Sequence, residues 1–460
     1  MGETKIVIIG CGAAGGTAAQ FARKTNRKAK ITIIEQGKYP QYSKCGLPHV
    51  ISGKIKDFND LVEFSKDWFE KDQIDLFLET TVDEINVKNS TISVKNKEKK
   101  TQIEFDKLII ATGATPYIPP IENIRKNNKL LDGIHILRTI DDGKQISSEI
   151  QKGKNATIIG AGLIGFETAE ALYKKGMKVT IVEALAGILE NTLDSDMSEP
   201  IHKELQEKII IHTNHIAIRV EEKQGRIQQI VIKNTDTKEE RKITTDLLVV
   251  ATGTKPNVAL AKSIGCKIGE TSGIIVNEMT ETSVNNVYAV GDCTEYKDFV
   301  TKEPTSIGLG SIAVRQGIAA GTNAAGSRYV LPKGILNTRT SEFFGIEVAA
   351  VGPVKNVFQQ IPVIYSKFNG SSLPDYFPGG RPISMKIGIN KDTGEIVSAQ
   401  AVGNNAAQRI NVFACAILNN ANVKELRKLE TAYAPSIAPT LDVLTLVCDV
   451  AFLKYSRNKR

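Results

Sequence analysis

The stretch QYSKCGLPHV, residues 41–50, sets one thiol, Cys45, between Ser43-Lys44 and a Gly-Leu-Pro turn. A cysteine so placed suits thiol–disulfide chemistry, in which the thiolate is the nucleophile. A redox dithiol needs a second cysteine nearby, yet the next one along the chain is Cys266. If Cys45 does chemistry, its partner comes from elsewhere. His49 stands four residues on. If the segment from Cys45 is helical, that is about one turn, and an imidazole there would stabilise the thiolate or pass a proton to a leaving sulfur. The plainer alternative is that His49 fills an aromatic-sized packing position. The six cysteines (Cys11, Cys45, Cys266, Cys293, Cys415, Cys448) form no CxxC pair, and with the five histidines they give no metal-ligand spacing. Structural disulfides and a metal site are therefore not expected.

Two further constellations concern nucleotides. KIVIIGCGAAGGTAAQFARK runs from a short apolar strand through Gly10, Gly12 and Gly15 into a helical pattern, and the next strand, ITIIEQG, reaches Glu35. Strand, GxGxxG, helix, strand and acid form the dinucleotide-binding order. The first glycine makes the tight turn, the second admits a pyrophosphate to the backbone, the third lets helix pack on strand, and the acid takes a ribose hydroxyl. ATIIGAGLIGFETAEALYKKGMKVTIVEA repeats the plan with Gly160, Gly162, Gly165 and Glu183. About a hundred residues after each loop comes an apolar strand ending in ATGxxP, with Thr112, Gly113 and Pro116 in one case and Thr252, Gly253 and Pro256 in the other. Two such sites in one chain suit electron transfer between two nucleotide cofactors.

The elements that must hold these residues follow from the pattern. TISVKN with IEFDKLII, and IQQIVIKN with ITTDLLVV, read as antiparallel hairpins attached to each nucleotide unit. NVYAVGDCTE is a strand ending at Gly291-Asp292, and from about residue 335 strands followed by a helix form a separate α+β unit. A chain of 460 residues suffices for about three domains. No apolar run approaches a membrane span and the start lacks a signal-peptide layout, so a cytoplasmic protein without a membrane partner is expected. A net charge of +8 spread along the chain fits anionic small ligands, and nucleic acid is not taken as a partner.

Together these residues resemble the pyridine nucleotide-disulfide oxidoreductases, flavoproteins with two dinucleotide-binding domains, from Lys5 to about Leu453. The resemblance implies an α/β fold with two Rossmann-like domains and a C-terminal α+β dimerisation domain. It places an FAD domain at 1–120 and 248–330, an NAD(P)H domain at 121–247 and the dimerisation domain at 335–460. It implies FAD on Gly10, Gly12, Gly15 and Glu35, with Thr112, Gly113, Gly291 and Asp292 completing that site and Asp292 on the ribityl chain. The nicotinamide nucleotide falls to Gly160, Gly162, Gly165, Glu183, Thr252 and Gly253, with Glu167 near its ring. No basic residue directly follows Glu183, which favours NADH and leaves NADPH open.

YSKCGLPHVISG is similar to the branch with a single redox cysteine: coenzyme A disulfide reductases, NADH oxidases, NADH peroxidases and polysulfide reductases. The position of a second cysteine, five residues after the first, is Val50. The partner atom is then an external sulfur or an oxygen. Where oxidases and peroxidases tend to have a histidine this chain has Ala14, and Tyr433 and, less directly, Tyr376 match the tyrosines of coenzyme A disulfide reductases. In those enzymes a tyrosine of the partner subunit protonates the departing thiolate; here Ser436 replaces a proline of that segment. Arg23, Lys24, Ser43 and Lys44 are candidates for the substrate, the basic ones for coenzyme A phosphates. A depressed Cys45 thiol is expected at a helix start beside Lys44 and the flavin. The implied activity is transfer of electrons from NADH through FAD to Cys45 and on to coenzyme A disulfide or polysulfide. Oxygen as acceptor, or service as the flavin subunit of a larger redox complex, is the alternative.

Overall fold

The computed structural model describes residues 4–97, 99–306, 308–358 and 361–459. The β-branched run Lys5–Ile9 lies at the centre of a five-stranded parallel sheet, flanked by Lys30–Ile34 and Lys107–Ile110, with Ile74–Phe77 and Val287–Ala289 at the edges. Strands covered on both faces read as unbroken apolar runs, and Ile6 and Ile8 are fully buried. A second sheet copies this order around Asn155–Ile159, with Lys178–Val182 and Leu247–Val250 beside it and Ile134–Ile136 and Ile210–His212 at the edges.

Each sheet carries a three-stranded antiparallel ribbon, Thr80–Asn86, Thr91–Asn96 and Lys99–Glu104 in the first unit, His215–Lys223, Arg226–Asn234 and Glu240–Thr244 in the second. The expected hairpins are present but shorter than read. Their apolar tails, Lys107–Ile110 and Leu247–Val250, leave the ribbons and join the parallel sheets, where Leu108, Ile109, Leu247 and Leu248 lose all exposure. A two-sided apolar run cannot be buried in a ribbon with one wet face. The boundary placed between 247 and 248 thus shifts past Val250, because that strand belongs to the second sheet.

The chain passes between the units at a two-stranded strap, Ala114–Pro116 against Thr254–Pro256. Thr112 donates its hydroxyl to the Asn257 carbonyl and Thr252 to the Tyr117 carbonyl, both at 2.6 Å. Back in the first unit, the helix Gly310–Ala324 lies against the helix Ala13–Thr25 backbone to backbone. A β-carbon at Gly321 would stand 2.1 Å from the Ala18 carbonyl oxygen, and one at Gly317 2.4 Å from that of Ala14.

The C-terminal unit is a five-stranded antiparallel sheet, in the order Arg339–Phe343, Ile346–Val351, Ile396–Gly403, Pro382–Asn390, Val363–Ser371. The helices Ala406–Leu418 and Val443–Asn458 pack on it through Phe413, Ile417 and Val447. Strands followed by helices is the expected α+β arrangement. Among the described residues no helix is long and apolar enough to cross a membrane, and no group of His, Cys, Asp and Glu is disposed to hold a metal.

Candidate active site

The two glycine loops are built alike. Gly10 and Gly160 have φ of +105° and +108°, and a β-carbon on either would press on a carbonyl oxygen, Ala111 at 2.2 Å and Ala251 at 2.5 Å. At Gly15 and Gly165 it would stand 1.9 and 2.1 Å from the oxygens of Gly10 and Gly160, so helix and strand meet only without side chains. At Gly12 and Gly162 it meets nothing within 4 Å, which leaves the helix N-termini open to an anion. Glu35 accepts the Cys11 and Gly37 N–H groups, both at 2.7 Å, and Glu183 accepts those of Ala161 and Leu185 at 2.6 and 2.9 Å. Each carboxylate is thereby fixed over its own loop. Thr112 and Thr252 spend their hydroxyl protons on the strap, so they shape the backbone where Gly113 and Gly253 turn at φ +64° and +92°.

Gly291 turns at φ +78° with its N–H donated to Gln316 Oε1 at 2.7 Å, and a β-carbon there would come 3.1 Å from that of Ala14. Beside it Asp292 Oδ2 accepts a hydrogen bond from Arg138 Nη2 at 2.8 Å. Arg138 comes from just past the strand Ile134–Ile136 of the second sheet, so this ion pair joins the two units at the cleft.

Cys45 sits on a single turn, Lys44–Gly46, ahead of the helix Leu47–Ser52, and its side chain is open to the cleft. The thiol is pushed up, first by burial among the cleft walls and then by the Glu167 and Asp292 carboxylates, while Arg138 opposes them. This reverses the expected depression. Lys44 is not among the main charges acting on the thiol, and its own ammonium is lowered by desolvation and then by the charge of Arg138. The turn Lys44–Gly46 runs directly into the helix Leu47–Ser52, so the segment from Cys45 to His49 is helical, yet the two side chains have different charged neighbours. The charges that act on His49 are Lys54, Glu170, Glu342 and Lys174, whereas those on Cys45 are Glu167, Asp292 and Arg138. Burial holds the imidazole low.

Glu167 lies on the helix Leu163–Lys174 that follows the second loop. Its Oε1 accepts the Ser341 hydroxyl at 2.5 Å, from the first strand of the C-terminal sheet. Burial raises its carboxyl and the Ser341 bond opposes that. The four substrate candidates separate. Arg23 is committed to a clamp: its guanidinium donates to the carbonyls of Asp72, Arg27, Ala29 and Gln73 at 2.7–2.9 Å, so it is not free for a phosphate. Lys24 is exposed, with its ammonium 4.7 Å from the Phe21 ring centroid. Ser43 donates its N–H to the Leu61 carbonyl and precedes the cysteine turn, and Lys44 is exposed on that turn. Tyr376 and Tyr433, 57 residues apart, bring their hydroxyls to 3.0 Å on an exposed face of the C-terminal unit.

Sequence reasoning missed Arg138, Ser341 and two buried glutamines, Gln41 and Gln316. HILRT and TRTSEF carry no motif, and only the folded chain sets these residues beside Asp292 and Glu167.

A doubled dinucleotide fold joined to an α+β unit, with one thiol in the cleft, defines a class of redox protein, and comparison with known proteins agrees. Residues 4–317 match the family described as pyridine nucleotide-disulphide oxidoreductase, and residues 339–443 match its dimerisation domain. The chain belongs to this family and is an oxidoreductase. It is 35% identical to an NADH oxidase of Methanocaldococcus jannaschii, over 99% of this chain and 100% of that one. It is 32% identical to an NAD(P)H sulfur oxidoreductase (CoA-dependent) of Pyrococcus abyssi, over 97% of each. The structure of an NAD-dependent persulfide reductase from A. fulgidus superposes with a TM-score of 0.93 at 31% identity, covering 99% of this chain and 84% of that one.

Proposed function

We propose that this chain, as a cytoplasmic homodimer, takes electrons from NADH through FAD to Cys45 and reduces a small disulfide or sulfur-chain substrate. The supporting observation is that Cys45 opens into a cleft whose charged groups come from both nucleotide units, Asp292 from the first and Glu167 from the second.

The first unit suits a flavin dinucleotide. Three buried polar atoms at its edge toward the cleft lack a protein partner: Gln41 Oε1 beside Gly16, Gln316 Nε2 beside Gly291 and, reaching in from the second unit, Arg138 Nε beside Asp292. A buried polar atom without a partner costs about 1–3 kcal/mol, so a bound polar group is the natural complement. Gly10, Gly12, Gly15 and Glu35 hold the dinucleotide, with Gly113, Gly291 and Asp292 at its flavin end. When bound, the flavin relays two electrons from the nicotinamide to sulfur. The second unit holds NADH on Gly160, Gly162, Gly165 and Glu183, where a fixed carboxylate accepts a ribose diol and repels a 2′-phosphate. NADPH serves as the poorer donor.

The Cys45 thiolate attacks a disulfide RSSR, forming Cys45–S–S–R and releasing RS⁻, which takes one proton. Two electrons and a second proton then break the mixed disulfide to the Cys45 thiolate and RSH, so RSSR becomes two RSH. The Tyr376–Tyr433 pair, exposed in its own chain, meets the partner subunit's cleft and supplies a proton there. Coenzyme A disulfide and polysulfide are the proposed acceptors, in keeping with the name of the Pyrococcus abyssi relative. Oxygen is the second reading, carried by the name of the Methanocaldococcus jannaschii relative, and a larger redox complex the third.

Steady-state NADH oxidation with coenzyme A disulfide, polysulfide and oxygen side by side tests this. Cys45→Ser is expected to abolish sulfur reduction while NADH still bleaches the flavin. Undiminished turnover of Cys45→Ser with sulfur acceptors defeats the proposal.

A further inference from the structure

Residues 183–194 connect the strand Lys178–Val182 to the helix Ser195–Leu205, and midway they return to the second glycine loop. The Leu189 N–H donates to the carbonyl of Ala161, the middle residue of Gly160-Ala161-Gly162, at 3.0 Å. Glu183 accepts the Ala161 N–H, so this residue is held from both sides. Leu189 has a φ of +57°, a shape that leucine seldom takes and that persists only where the surroundings impose it. Its carbonyl accepts the Thr192 and Leu193 N–H groups at 2.7 and 2.9 Å, a tight turn that ends at Asp194. Asp194 is in turn held by the C-terminal unit. Its N–H donates to Gln400 Oε1 and its Oδ1 accepts the Lys355 N–H, both at 2.8 Å, while Oδ2 lies 2.7 Å from the Lys386 ammonium. Lys386 also stands 2.6 Å from Asp196 Oδ1. Lys386 and Gln400 are cross-strand partners on the antiparallel sheet, and both are buried.

We propose that Lys386 and Gln400 of the dimerisation sheet are positioning residues for the nicotinamide nucleotide, which through Asp194 and the turn at Leu189 fix the loop that receives its pyrophosphate. The inference rests on the second loop holding that nucleotide. Gly160, Ala161 and Gly162 have no side chain long enough to anchor the loop, so its N–H directions depend on what grips its peptides. Every link from the sheet to the loop is a hydrogen bond or ion pair of 3.0 Å or less. Ile188, Leu189 and Leu193 are buried in the core that contains Phe166, which keeps the intervening turn from yielding. A shift of about 1 Å in a group that orients a ligand is costly. The sheet that carries the tyrosine pair thus also shapes a cradle in another domain.

The test is calorimetric binding of ADP-ribose to the flavin-loaded protein, with stopped-flow reduction of the flavin by NADH and by reduced nicotinamide mononucleotide alongside. Lys386→Met is expected to weaken ADP-ribose about tenfold and to raise the NADH concentration for half-maximal flavin reduction by the same factor. Reduction by the mononucleotide, which has no adenylate half to set on the loop, should keep its wild-type dependence. Gln400→Met releases the Asp194 N–H without stranding a charge, and it is expected to weaken ADP-ribose about threefold. It decides the matter where Lys386→Met does not fold. Wild-type affinity for ADP-ribose in the folded variants overturns the proposal. A loss that strikes the mononucleotide equally also overturns it, because that marks general damage. Wild-type protein that binds no ADP-ribose defeats the nucleotide reading of the second loop, and this inference falls with it. A chain inactive with every sulfur acceptor but showing these shifts defeats the proposed sulfur reduction and leaves this inference standing.

Discussion

Position for position, the helix after the first loop carries Gly16 and Thr17 where the helix after the second carries Phe166 and Glu167. The loops themselves are nearly interchangeable in their hydrogen bonds and close approaches. On the first helix Gly16 faces Gln41, and Thr17 lies beside Gly317, which with Gly321 lets Gly310–Ala324 approach Ala14 and Ala18 at backbone distance and seals the first unit within itself. The large residue sends the second helix outward: Phe166 stacks on Phe343 of the dimerisation domain, and Glu167 reaches the thiol cleft. One motif thus builds two sites, and the residues immediately after it decide whether the helix closes a domain or connects three.

The largest expected effects come from the glycines that the loops share. Valine at Gly15 or Gly165 places a β-carbon about 2 Å from a carbonyl oxygen, and overpacking of this kind costs about 3 kcal/mol or roughly 100-fold in affinity. Gly15→Val is expected to purify without flavin. Gly165→Val should stay yellow and lose flavin reduction by NADH in stopped-flow absorbance. Loss of colour in both variants would break the division of labour between the loops.

The second unit is also tied to the C-terminal sheet by Lys386, 2.7 Å from Asp194 Oδ2 with both side chains under a tenth exposed. Lys386→Met strands a buried carboxylate and is expected to cost about 3–5 kcal/mol in urea denaturation. Burial works to raise the Asp194 carboxyl, but Lys386 and the Lys355 N–H outweigh it and the net shift is downward. The sign follows: this group stabilises the fold above its unfolded value, near 3.9, and loses that contribution as pH falls toward the lower folded value. Lys386→Met should therefore flatten the acid limb of the stability curve, and an unchanged limb removes Asp194 from the account.

The smaller effects contrast the helices directly. Phe166→Ala empties a fully buried ring site and is expected to cost about 3 kcal/mol by thermal or urea unfolding. Gly16→Ala should cost about 1 kcal/mol, because the atom in its way, Gln41 Oε1, ends a side chain that can turn aside. Equal costs would mean that the first helix is packed as rigidly as the second.

Much of the fold was legible because its signals are local. Unbroken Ile and Val runs identify doubly covered strands, and the glycine spacing with a terminal acid identifies both cradles. The same apolar runs misled at Lys107–Ile110 and Leu247–Val250, where a ribbon and a parallel strand follow one another with only a turn between them. At the site, Cys45 and Glu167 were singled out from residue type and position and Tyr433 and Tyr376 from the resemblance, the meeting of the two tyrosine hydroxyls was not foreseen, and Arg23 was misread as free for a phosphate. Arg23 resembles any free cation on a helix until Asp72 and Gln73, about 50 residues later, bring their carbonyls to it.

What the sequence by itself determined is the set of backbone shapes: tight turns only glycine can make, strands buried on both faces, and carboxylates at strand ends that cap the loops. These depend on neighbours within a few residues or one strand away. Only the tertiary structure decided the charges. Cys45 takes its proton affinity from burial, Glu167 and Asp292, and Glu167 meets a serine 174 residues further along the chain. Desolvation and Coulomb energy depend on distance through space and on what excludes water, and neither is written in the order of the residues.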